Sequence, residues 1–520
     1  MPRKPLVLAA LLLAAFAINL DTTIVNVALP RMIDELHASN TELQWIVDAY
    51  NLVFAALLLA AGSLGDRAGR KGVLLAGLGV FGVSSLLGGL MSTPAQLIAA
   101  RAVMGLGAAL IFPATLSLIT NVFTERGERA QAIGLWGATA GMAIALGPIV
   151  GGWLLSQFSW QSIFIALAPV AALAAAFVAL VVPTSRDPRA GRADLGGTLL
   201  STAGIALLIY TIIEAPTQGW GGARTLGGFI LALAVLAAFV VWERRLAEPM
   251  LDVRLFRNPR FTAASGSVTI AFFTLFGFIF LVTQYFQFFK GYSPLSAGVH
   301  LLPVAISVGV SSVLGTKLAV RLGTKLVVAS GLVAIAVFYL WVSTGSASTA
   351  YSTIAMQMVV YGVGMGFTSA PATEAIMGVV PRAKAGVGSA VNDATRLLGG
   401  TLGVAVIGSV FASLYADRLA ARLPAQLPPA LADASSSSAG AALAVAGQLG
   451  AEGQASLAGG VAKAADAAFF HGFSAGCLVA AGVAAAGAVL AALLLPAQPS
   501  PTPAPQAEIA AEPAGAEATV

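Results

Sequence analysis

Long apolar runs recur along the whole chain and constrain its fold more than any other feature. Each run has 18 or more residues, which is enough to cross the ~30 Å hydrocarbon core of a bilayer as an α-helix. Hydrophobic residues make up 58% of the 520 positions and charged residues only 10%. A transmembrane barrel would instead show alternating segments of about ten residues. The pattern therefore predicts an all-α polytopic membrane protein.

The apolar runs number fourteen, and the distribution of basic residues supports that count. The runs lie near 6–28, 45–65, 73–91, 95–120, 131–155, 162–182, 196–214, 225–242, 262–285, 296–316, 325–344, 351–375, 387–412 and 471–495. With the N-terminus in the cytoplasm, 20 of the 28 Lys and Arg residues fall on the cytoplasmic side, six fall outside, and Arg101 and Arg396 fall within spans. Cytoplasmic loops typically carry such an excess of basic residues. We therefore expect a multi-pass protein of the cytoplasmic membrane with both termini in the cytoplasm.

One short stretch recurs later in the chain. "LGDRAGRKGVL" at 64–74 aligns without gaps with "LAVRLGTKLVV" at 318–328. The identities include Arg67 with Arg321, Gly69 with Gly323, and Lys71 with Lys325. Asp66 is replaced by Val320 in the second copy. The repeat favours two similarly built halves, the architecture in which the site of a transporter lies between the repeats.

An acidic residue lies inside the first apolar run. Asp21, in "FAINLDTTIVNVALP" (16–30), would cost roughly 2.5–3.5 kcal/mol as an ion in hydrocarbon, so we expect it to have a partner in the bundle interior. At ~1.5 Å per residue, Asp21 lies about 22 Å from the inner face and Arg101 about 9 Å below the outer face. These depths allow the two residues to meet. Such a pair either toggles the protonation of Asp21 or is static and fixes the packing of the helices.

Four further charged residues lie in or at the ends of spans. Asp48, near the outer end of the second span, is either an ordinary interfacial charge or an acid at the mouth of a cavity. Glu374, near the inner end of its span, either faces the cytosol or has a function there. Asp393 and Arg396 are three residues apart on one helix and therefore share a face. They form either a simple intrahelical ion pair or part of a functional site.

The fifth span is rich in glycine. "GATAGMAIALGPIVGG" (137–152) places small residues at four-residue spacing, which lets neighbouring helices pack closely. The Gly147-Pro148 pair weakens the helix locally and permits a bend. Packing alone would also explain the pattern.

The sequence lacks the features of several other function classes. No GxxxxGK[ST] motif occurs, so uphill transport would have to draw on an ion gradient, and "GVGMGF" (362–367) lies in an apolar span where packing explains its glycines. The single Cys477 excludes an intramolecular disulfide, and the three His residues have no ligand spacing, so we expect no metal or cofactor. Basic residues are scattered over short loops, which argues against nucleic acid as a partner. The sequence shows no nucleophile–base constellation, which argues against an intramembrane enzyme or a signalling receptor.

Seven stretches, in the expected order, resemble motifs of the major facilitator superfamily. Together they are similar to its fourteen-helix drug:proton antiporter branch, which contains quaternary-ammonium and multidrug exporters. The resemblance runs from about residue 6 to residue 412. The stretches are "LDTTIVNVALP" (20–30), "GSLGDRAGRKGVLL" (62–75), "LIAARAVMGLGAA" (97–109), "GMAIALGPIVGG" (141–152), "PMLDVRLFRNPRF" (249–261), "GYSPLSAGVHLLP" (291–303) and "AGVGSAVNDATRLLGGTLGVAVIGSVF" (385–411).

The resemblance implies a cytoplasmic gate. Asp66, Arg67 and Arg70 would help to close it through charge contacts between the two halves. Gly62 and Gly69 occupy the glycine positions of the same motif.

The resemblance also implies a site for proton coupling and substrate. Arg101 would take part in proton coupling, and the acids that carry the proton or attract a cation would be Asp21 and, in addition, Asp48 and Asp393. The helix-five motif would bias the protein toward exchange through Gly147 and Pro148. The candidate coupling and substrate residues are Asp21, Arg101, Asp48, Asp393, Arg396 and Glu374, and those of the helix-five motif are Gly141, Gly147, Pro148, Gly151 and Gly152.

The resemblance divides the chain into two six-helix halves with two inserted helices between them. We expect the first half at 1–182, the inserted helices at 183–260, and the second half at 261–495, with a long external loop at 413–470. The Pro- and Ala-rich tail at 496–520 is expected to be disordered. The loop is longer than a plain connector, and "VAISVGVSS" lacks the extra acid that some multidrug members carry. That absence argues against divalent cationic drugs as substrates.

The expected function is proton-coupled export of lipophilic, often cationic, small molecules by alternating access. The alternative is an exporter of the same fold for an endogenous metabolite, a lipid or a self-made antibiotic. Its partners would be a small-molecule substrate, protons and the lipid bilayer, and we expect a monomer.

Overall fold

The computed structural model describes residues 4–36, 40–187, 194–246, 249–436 and 438–496, and these residues form helices and connections without strands. The α-helices are α1 (Lys4–Leu36), α2 (Asn40–Ala68), α3 (Arg70–Gly88), α4 (Pro94–Val122), α5 (Arg126–Gln157), α6 (Gln161–Val181), α7 (Leu195–Gln218), α8 (Ala223–Arg245), α9 (Pro259–Gln284), α10 (Pro294–His300), α11 (Leu302–Leu322), α12 (Thr324–Val342), α13 (Tyr351–Val379), α14 (Ala385–Ala420), α15 (Pro429–Ser436), α16 (Ala439–Ala451) and α17 (Ala455–Leu494). Short 3₁₀ turns occur at Val253–Arg257 and Arg382–Lys384, and a π turn at Tyr285–Phe289.

Thirteen of the helical segments in the described ranges are long and apolar enough to cross a membrane. One of them, Leu295–Leu322, contains both α10 and α11. The predicted span at 351–375 corresponds to α13, whose 29 residues also exceed the length that a bilayer core requires. It carries buried polar side chains such as Gln357, Thr373 and Glu374. The helices are therefore consistent with the fourteen predicted spans of a multi-pass membrane protein.

The segment expected to be a long loop at 413–470 is mostly helical. Helix α14 continues to Ala420, α15 and α16 follow, and the last helix begins at Ala455 rather than near 471. The composition explains the difference, because alanine has the highest helix propensity. Small apolar side chains of α16, such as Val445 and Leu449, are buried where it packs on α17. Apart from Pro496, the tail predicted at 496–520 lies outside the described residues.

The helices pack in two groups that meet along a few long contacts. Within the first six helices, α4 packs on α2 and α3, and α1 packs on α5 and α6. Among the later helices, α13 packs on α11 and α12, and α14 packs on α9 and α17. The contacts between the groups run from α5 to α10, α11 and α13, and from α14 to α2 and α4. Helices α7 and α8 pack on each other, and α7 attaches the pair to α2 and α14.

Glycines allow the two groups to approach closely. A Cβ atom at Gly62 of α2 would lie 2.5 Å from the carbonyl oxygen of Gly386 on α14. A Cβ atom at Gly134 of α5 would lie 3.0 Å from the carbonyl oxygen of Ser312 on α11. Such contacts are typical of membrane helices, where small residues let backbones approach.

The internal repeat has a structural counterpart in two equivalent turns. Gly69, between α2 and α3, has φ of 110°, and Gly323, between α11 and α12, has φ of 93°. Both values lie in a region that glycine adopts readily and other residues avoid. The repeated glycine therefore marks a repeated backbone turn, whereas the acid of the first copy is absent from the second at Val320.

Candidate functional site

Asp21 and Arg101 form a buried ion pair between α1 and α4. Nη1 of Arg101 lies 2.7 Å from both carboxylate oxygens of Asp21. The two side chains are 0% and 1% exposed, respectively. The contact that the helix depths allowed is therefore present.

A third helix, α2, holds the guanidinium of this pair in place. Nε of Arg101 donates to the carbonyl oxygen of Ile46 at 3.0 Å, and the guanidinium carbon lies 4.3 Å from the ring centroid of Tyr50. A desolvated cation over an aromatic ring contributes about 2 kcal/mol. Because the pair is dry, loss of either charge would leave the other buried without compensation, at a cost of about 3–5 kcal/mol.

Arg396 of α14 lies between two aromatic rings. Its guanidinium carbon is 4.4 Å from the ring centroid of Trp136 on α5 and 4.8 Å from that of Phe272 on α9. Nη2 donates to Oγ1 of Thr373 at 3.3 Å, whereas Nε has no hydrogen-bond partner among the described residues. Side chains from both groups of helices therefore enclose one buried cation.

Asp393 lies one turn before Arg396 but does not form the intrahelical ion pair considered from the sequence. In the part of the chain that the structure describes, its Oδ1 accepts a hydrogen bond from Nδ2 of Asn392 at 3.0 Å, and its Oδ2 has no hydrogen-bond partner. The side chain is 1% exposed. The pair is absent because the guanidinium of Arg396 packs against Trp136 and Phe272 instead. Asp393 is thus a buried carboxyl group with one oxygen atom that has no hydrogen-bond partner among the described residues.

Asp66 connects α2 to the start of α14. Its Oδ1 accepts a hydrogen bond from the backbone N–H of Gly386 at 2.9 Å, and its Oδ2 accepts one from Val387 at 3.1 Å. A carboxylate is favourable at a helix N-terminus because it satisfies free N–H groups and opposes the positive end of the helix dipole. The side chain of Asp66 therefore caps a helix of the other group.

Arg70 completes this contact. Its Nε and Nη2 donate to Oδ1 of Asp66 at 2.8 and 2.6 Å, and Nη2 also donates to the carbonyl oxygen of Ala383 at 2.7 Å. Nη1 donates to Oγ of Ser185 at 2.6 Å. Of the other predicted gate residues, Arg67 is half-buried, and the close packing of Gly62 and the turn at Gly69 are described above.

Glu374 of α13 is buried at the same end of the bundle and does not face solvent. Its Oε1 lies 3.5 Å from Nη2 of Arg129 and 3.7 Å from Nε of Arg126, both on α5. Its Oε2 lies 3.5 Å from Nη2 of Arg260 on α9. The interpretation that Glu374 merely faces the cytosol is wrong, because its carboxylate is 3% exposed among three arginines. We call this end of the bundle the basic end, defined by Asp66, Arg70, Arg126, Arg129, Arg260 and Glu374.

The glycines of α5 lie on two faces of the helix. A Cβ atom at Gly151 would meet Ile24 of α1 at 2.9 Å, and a Cβ atom at Gly147 would lie closer still to Thr23 of α1. A Cβ atom at Gly141 would lie 2.9 Å from Ala305 of α11, and one at Gly152 would lie 3.0 Å from Leu295 of α10. The predicted close packing is therefore confirmed, and the helix continues through Pro148 from Arg126 to Gln157.

Sequence reasoning missed several residues of these clusters. Tyr50, Trp136 and Phe272 are uncharged, and nothing in the sequence distinguishes them from other aromatic residues of the core. Arg126 and Arg129 were counted as loop charges, although they lie in the first turn of α5. Asp48 is half-buried on α2.

No metal centre is found among the described residues. No group of three or more His, Cys, Asp or Glu side chains in these ranges is arranged to hold a metal ion. Cys477 is buried as a free thiol on α17. The candidate sites therefore consist of buried carboxylates, guanidinium groups and aromatic rings.

Comparison with known families agrees with this architecture. Residues 11–404 match the model of the Major Facilitator Superfamily, and the chain belongs to that family.

Two relatives illustrate its place within the family. The chain is 36% identical over 392 residues to the methylenomycin A resistance protein of Streptomyces coelicolor, covering 75% of this chain and 82% of the relative. It is 36% identical over 403 residues to the multidrug efflux pump LfrA of Mycolicibacterium smegmatis, covering 78% and 80%, respectively.

A solved structure has the same fold. The human organic anion transporter MFSD10 (TETRAN) matches with a TM-score of 0.65 at 12% identity, covering 94% of this chain and all of that chain. At this identity the likeness concerns the fold.

Proposed function

We propose that this protein exports lipophilic, often cationic, small molecules across the cytoplasmic membrane in exchange for protons, by alternating access. Membership of the Major Facilitator Superfamily supports a transporter. Relatives whose names denote multidrug efflux and antibiotic resistance support export of drug-like compounds. Each proton that enters along the gradient supplies about 2.3 kcal/mol per 100 mV of membrane potential.

The observation that carries the proposal is the dry ion pair of Asp21 and Arg101. A proton on Asp21 removes its charge, and Arg101 is then a buried cation without a counter-ion. The protein can relieve that cost by moving to a state in which Arg101 is solvated. Protonation thus has different free energies in the two states, which is what coupling requires.

The contacts between α1 and α5 offer a route from Asp21 to the other helices. Nδ2 of Asn19 donates to Oγ1 of Thr139 at 3.2 Å, and Oγ1 of Thr23 donates to the carbonyl oxygen of Ala143 at 2.9 Å. Helix α5 packs in turn along α10 and α11. A shift of α1 would therefore move the contact surface on which the two groups of helices rock.

We assign the basic end to the cytoplasm and the observed arrangement to a state closed on that side. The excess of basic residues in the loops at this end supports the assignment, as does the cap of Asp66 on α14. Opening toward the cytoplasm would break that cap, the contact of Arg70 with Ala383, and the ion pairs of Glu374 with Arg126 and Arg129 of α5. On this orientation both termini are cytoplasmic, and the halves run from 1–182 and 261–495 around the inserted helices at 183–260.

We propose that the substrate cation binds where Arg396 now lies. The rings of Trp136 and Phe272 hold a guanidinium, and a lipophilic organic cation is attracted to the same ring faces. The unpartnered oxygen of Asp393 on the same helix would be its counter-charge. Arg396 would then be an internal competitor that leaves the rings when a cationic substrate arrives.

Exchange in membrane vesicles tests the role of Asp21. Vesicles with the wild-type protein should take up protons when tetraphenylphosphonium is exported, whereas Asp21→Asn should lower coupled exchange at least about tenfold while still binding the cation. Asp433→Asn makes the same chemical change at an exposed position between α14 and α16 and should match the wild type. Exchange at the wild-type rate in Asp21→Asn would refute the central role of this carboxyl group.

The second candidate is export of a compound that the cell itself makes. A relative from Streptomyces coelicolor that is named for resistance to one antibiotic, methylenomycin A, favours it. A panel of dyes and antimicrobials, tested on cells with and without the protein and with and without a protonophore, separates the two. Protection against many unrelated lipophilic cations supports drug export, and protection against a single compound class supports the second candidate.

We also propose that one chain forms the whole transport unit. The Asp21–Arg101 pair and the aromatic site around Arg396 are each formed by residues of a single chain. Light scattering of the purified protein in detergent should give the mass of one protomer, and a dimer mass would contradict the proposal.

A further inference from the structure

A cleft lies beside the inserted helices α7 and α8. It has a volume of about 950 Å³ and lies between α2, α7, α8, α14 and the 3₁₀ turn at Val253–Arg257. Its inner walls are aliphatic, from residues such as Leu59, Ile205 and Leu398. One rim is formed by three arginines: Arg244 at the end of α8, and Arg254 and Arg257 in the 3₁₀ turn. We call this feature the α7–α8 cleft.

The apolar part of the cleft lies at the depth of the bilayer and opens sideways. Helix α8 is mostly exposed: Ile230 and Leu233 are exposed on its surface, and Val240, which lines the cleft, is 40% exposed. A span with such a surface is in contact with lipid. The cleft beneath α8 is therefore accessible from the membrane.

The basic rim lies at the end of the bundle where the proposed gate is found. Lys384, which precedes α14, donates to the carbonyl oxygen of Pro249 at 2.9 Å, just ahead of the turn that carries two of the arginines. On the orientation proposed above, this is the cytoplasmic surface. The cleft is thus basic at the membrane surface and apolar toward the bilayer interior.

The three guanidinium groups have no side-chain partner among the residues that the structure describes. Among the described residues, no ion pair or side-chain hydrogen bond involves Arg244, Arg254 or Arg257, and all three are exposed. Three positive charges on one rim repel a cation and attract an anion. The cleft is therefore unsuited to the lipophilic cations proposed as substrates.

From this juxtaposition we propose that the α7–α8 cleft binds an anionic phospholipid of the cytoplasmic leaflet. Its headgroup phosphate would lie among Arg244, Arg254 and Arg257, and its acyl chains would lie against Ile205, Leu236 and Leu398. Basic pockets between membrane helices on the cytoplasmic side are known recognition sites for such headgroups. The ligand touches both α2 and α14, so it bridges the two groups of helices.

Native mass spectrometry of the purified full chain tests the charge requirement. The probes are phosphatidylglycerol and phosphatidylcholine with identical acyl chains, titrated into detergent. The wild type should retain phosphatidylglycerol selectively, and each Arg→Gln change at the rim should weaken its binding about fivefold. Arg245→Gln is the matched control, because Arg245 lies next to Arg244 but outside the cleft lining. Equal retention of both lipids by the wild type, or an equal loss in Arg245→Gln, would overturn the proposal.

A second variant tests the apolar part without changing charge. Leu208→Trp fills the cleft from α7 and should reduce retention of phosphatidylglycerol at least tenfold. Leu233→Trp makes the same change on the exposed face of α8 and should have no effect. Normal retention in Leu208→Trp would contradict binding in this cleft.

Competition with a lipophilic cation separates the lipid site from a substrate entrance. Ethidium should leave bound phosphatidylglycerol in place, because the arginines exclude it. Displacement by ethidium would overturn the lipid assignment and mark the cleft as a route for substrate. Because these measurements record binding rather than transport, their outcome is independent of the proposed export function.

Discussion

The stability of the Asp21–Arg101 pair can be predicted from its geometry. One nitrogen of Arg101 lies 2.7 Å from each carboxylate oxygen, and both side chains are fully buried. Asp21→Asn leaves a buried guanidinium without a counter-charge, and Arg101→Leu leaves a buried carboxylate. Each change should lower the free energy of unfolding by about 3–5 kcal/mol.

A double-mutant cycle isolates the interaction within this pair. The double variant should be less destabilised than the sum of the two single variants, because neither uncompensated charge is then present. The resulting coupling energy should be about 2–3 kcal/mol. It is measured by equilibrium unfolding of the purified protein in mixed micelles with increasing denaturing detergent.

The Lys4–Glu128 pair is the internal control for this cycle. It is shorter, at 2.5 Å, but its side chains are 44% and 50% exposed. Exposed pairs contribute about 0.2–1 kcal/mol, because water screens them. A coupling energy for Asp21–Arg101 no larger than that of Lys4–Glu128 would refute the argument that burial gives the first pair its importance.

Three further predictions concern the proposed gate and the aromatic site. Gly62→Val should force α2 away from α14 and therefore speed alkylation of a cysteine introduced at buried Ser389, measured in a Cys477→Ala background. Gly65→Val is the control and should not change the alkylation rate, because nothing lies within 4 Å of its Cβ position. Asp66→Asn should weaken closure by about 1 kcal/mol through loss of the α14 cap, and unchanged alkylation in the same assay would contradict this. Arg396→Gln should tighten equilibrium binding of tetraphenylphosphonium up to about 30-fold by removing the internal competitor, and Trp136→Leu should weaken it; changes of the same sign would exclude a shared aromatic site.

Depth along a helix is readable from sequence, and position around the bundle is not. The pairing of Asp21 with Arg101 could be expected because both must lie at similar depths and each needs a partner in the membrane. The partners of Arg396 could not be expected in this way. Trp136 and Phe272 come from two other helices, and which faces meet is decided by packing across the whole bundle.

The surroundings of Glu374 and the segment at 413–470 show two other limits. Arg126 and Arg129 lie at the start of α5, where charge counting treats them as loop residues, and only the packing of α5 on α13 brings them to Glu374. The 413–470 segment is rich in Ala, Ser, Gly and Gln and too polar to span a membrane, and this composition predicts a loop. Its alanines favour helix, and burial of α16 against α17 stabilises the result.

The central claim is that Asp21 carries the proton exchanged for substrate. Its most direct test is the number of protons that purified wild-type protein releases into weakly buffered detergent solution when tetraphenylphosphonium binds. We expect release by the wild type and none by Asp21→Asn, although that variant still binds the cation. Equal proton release by both proteins would contradict the claim and leave Asp21 as a static partner of Arg101.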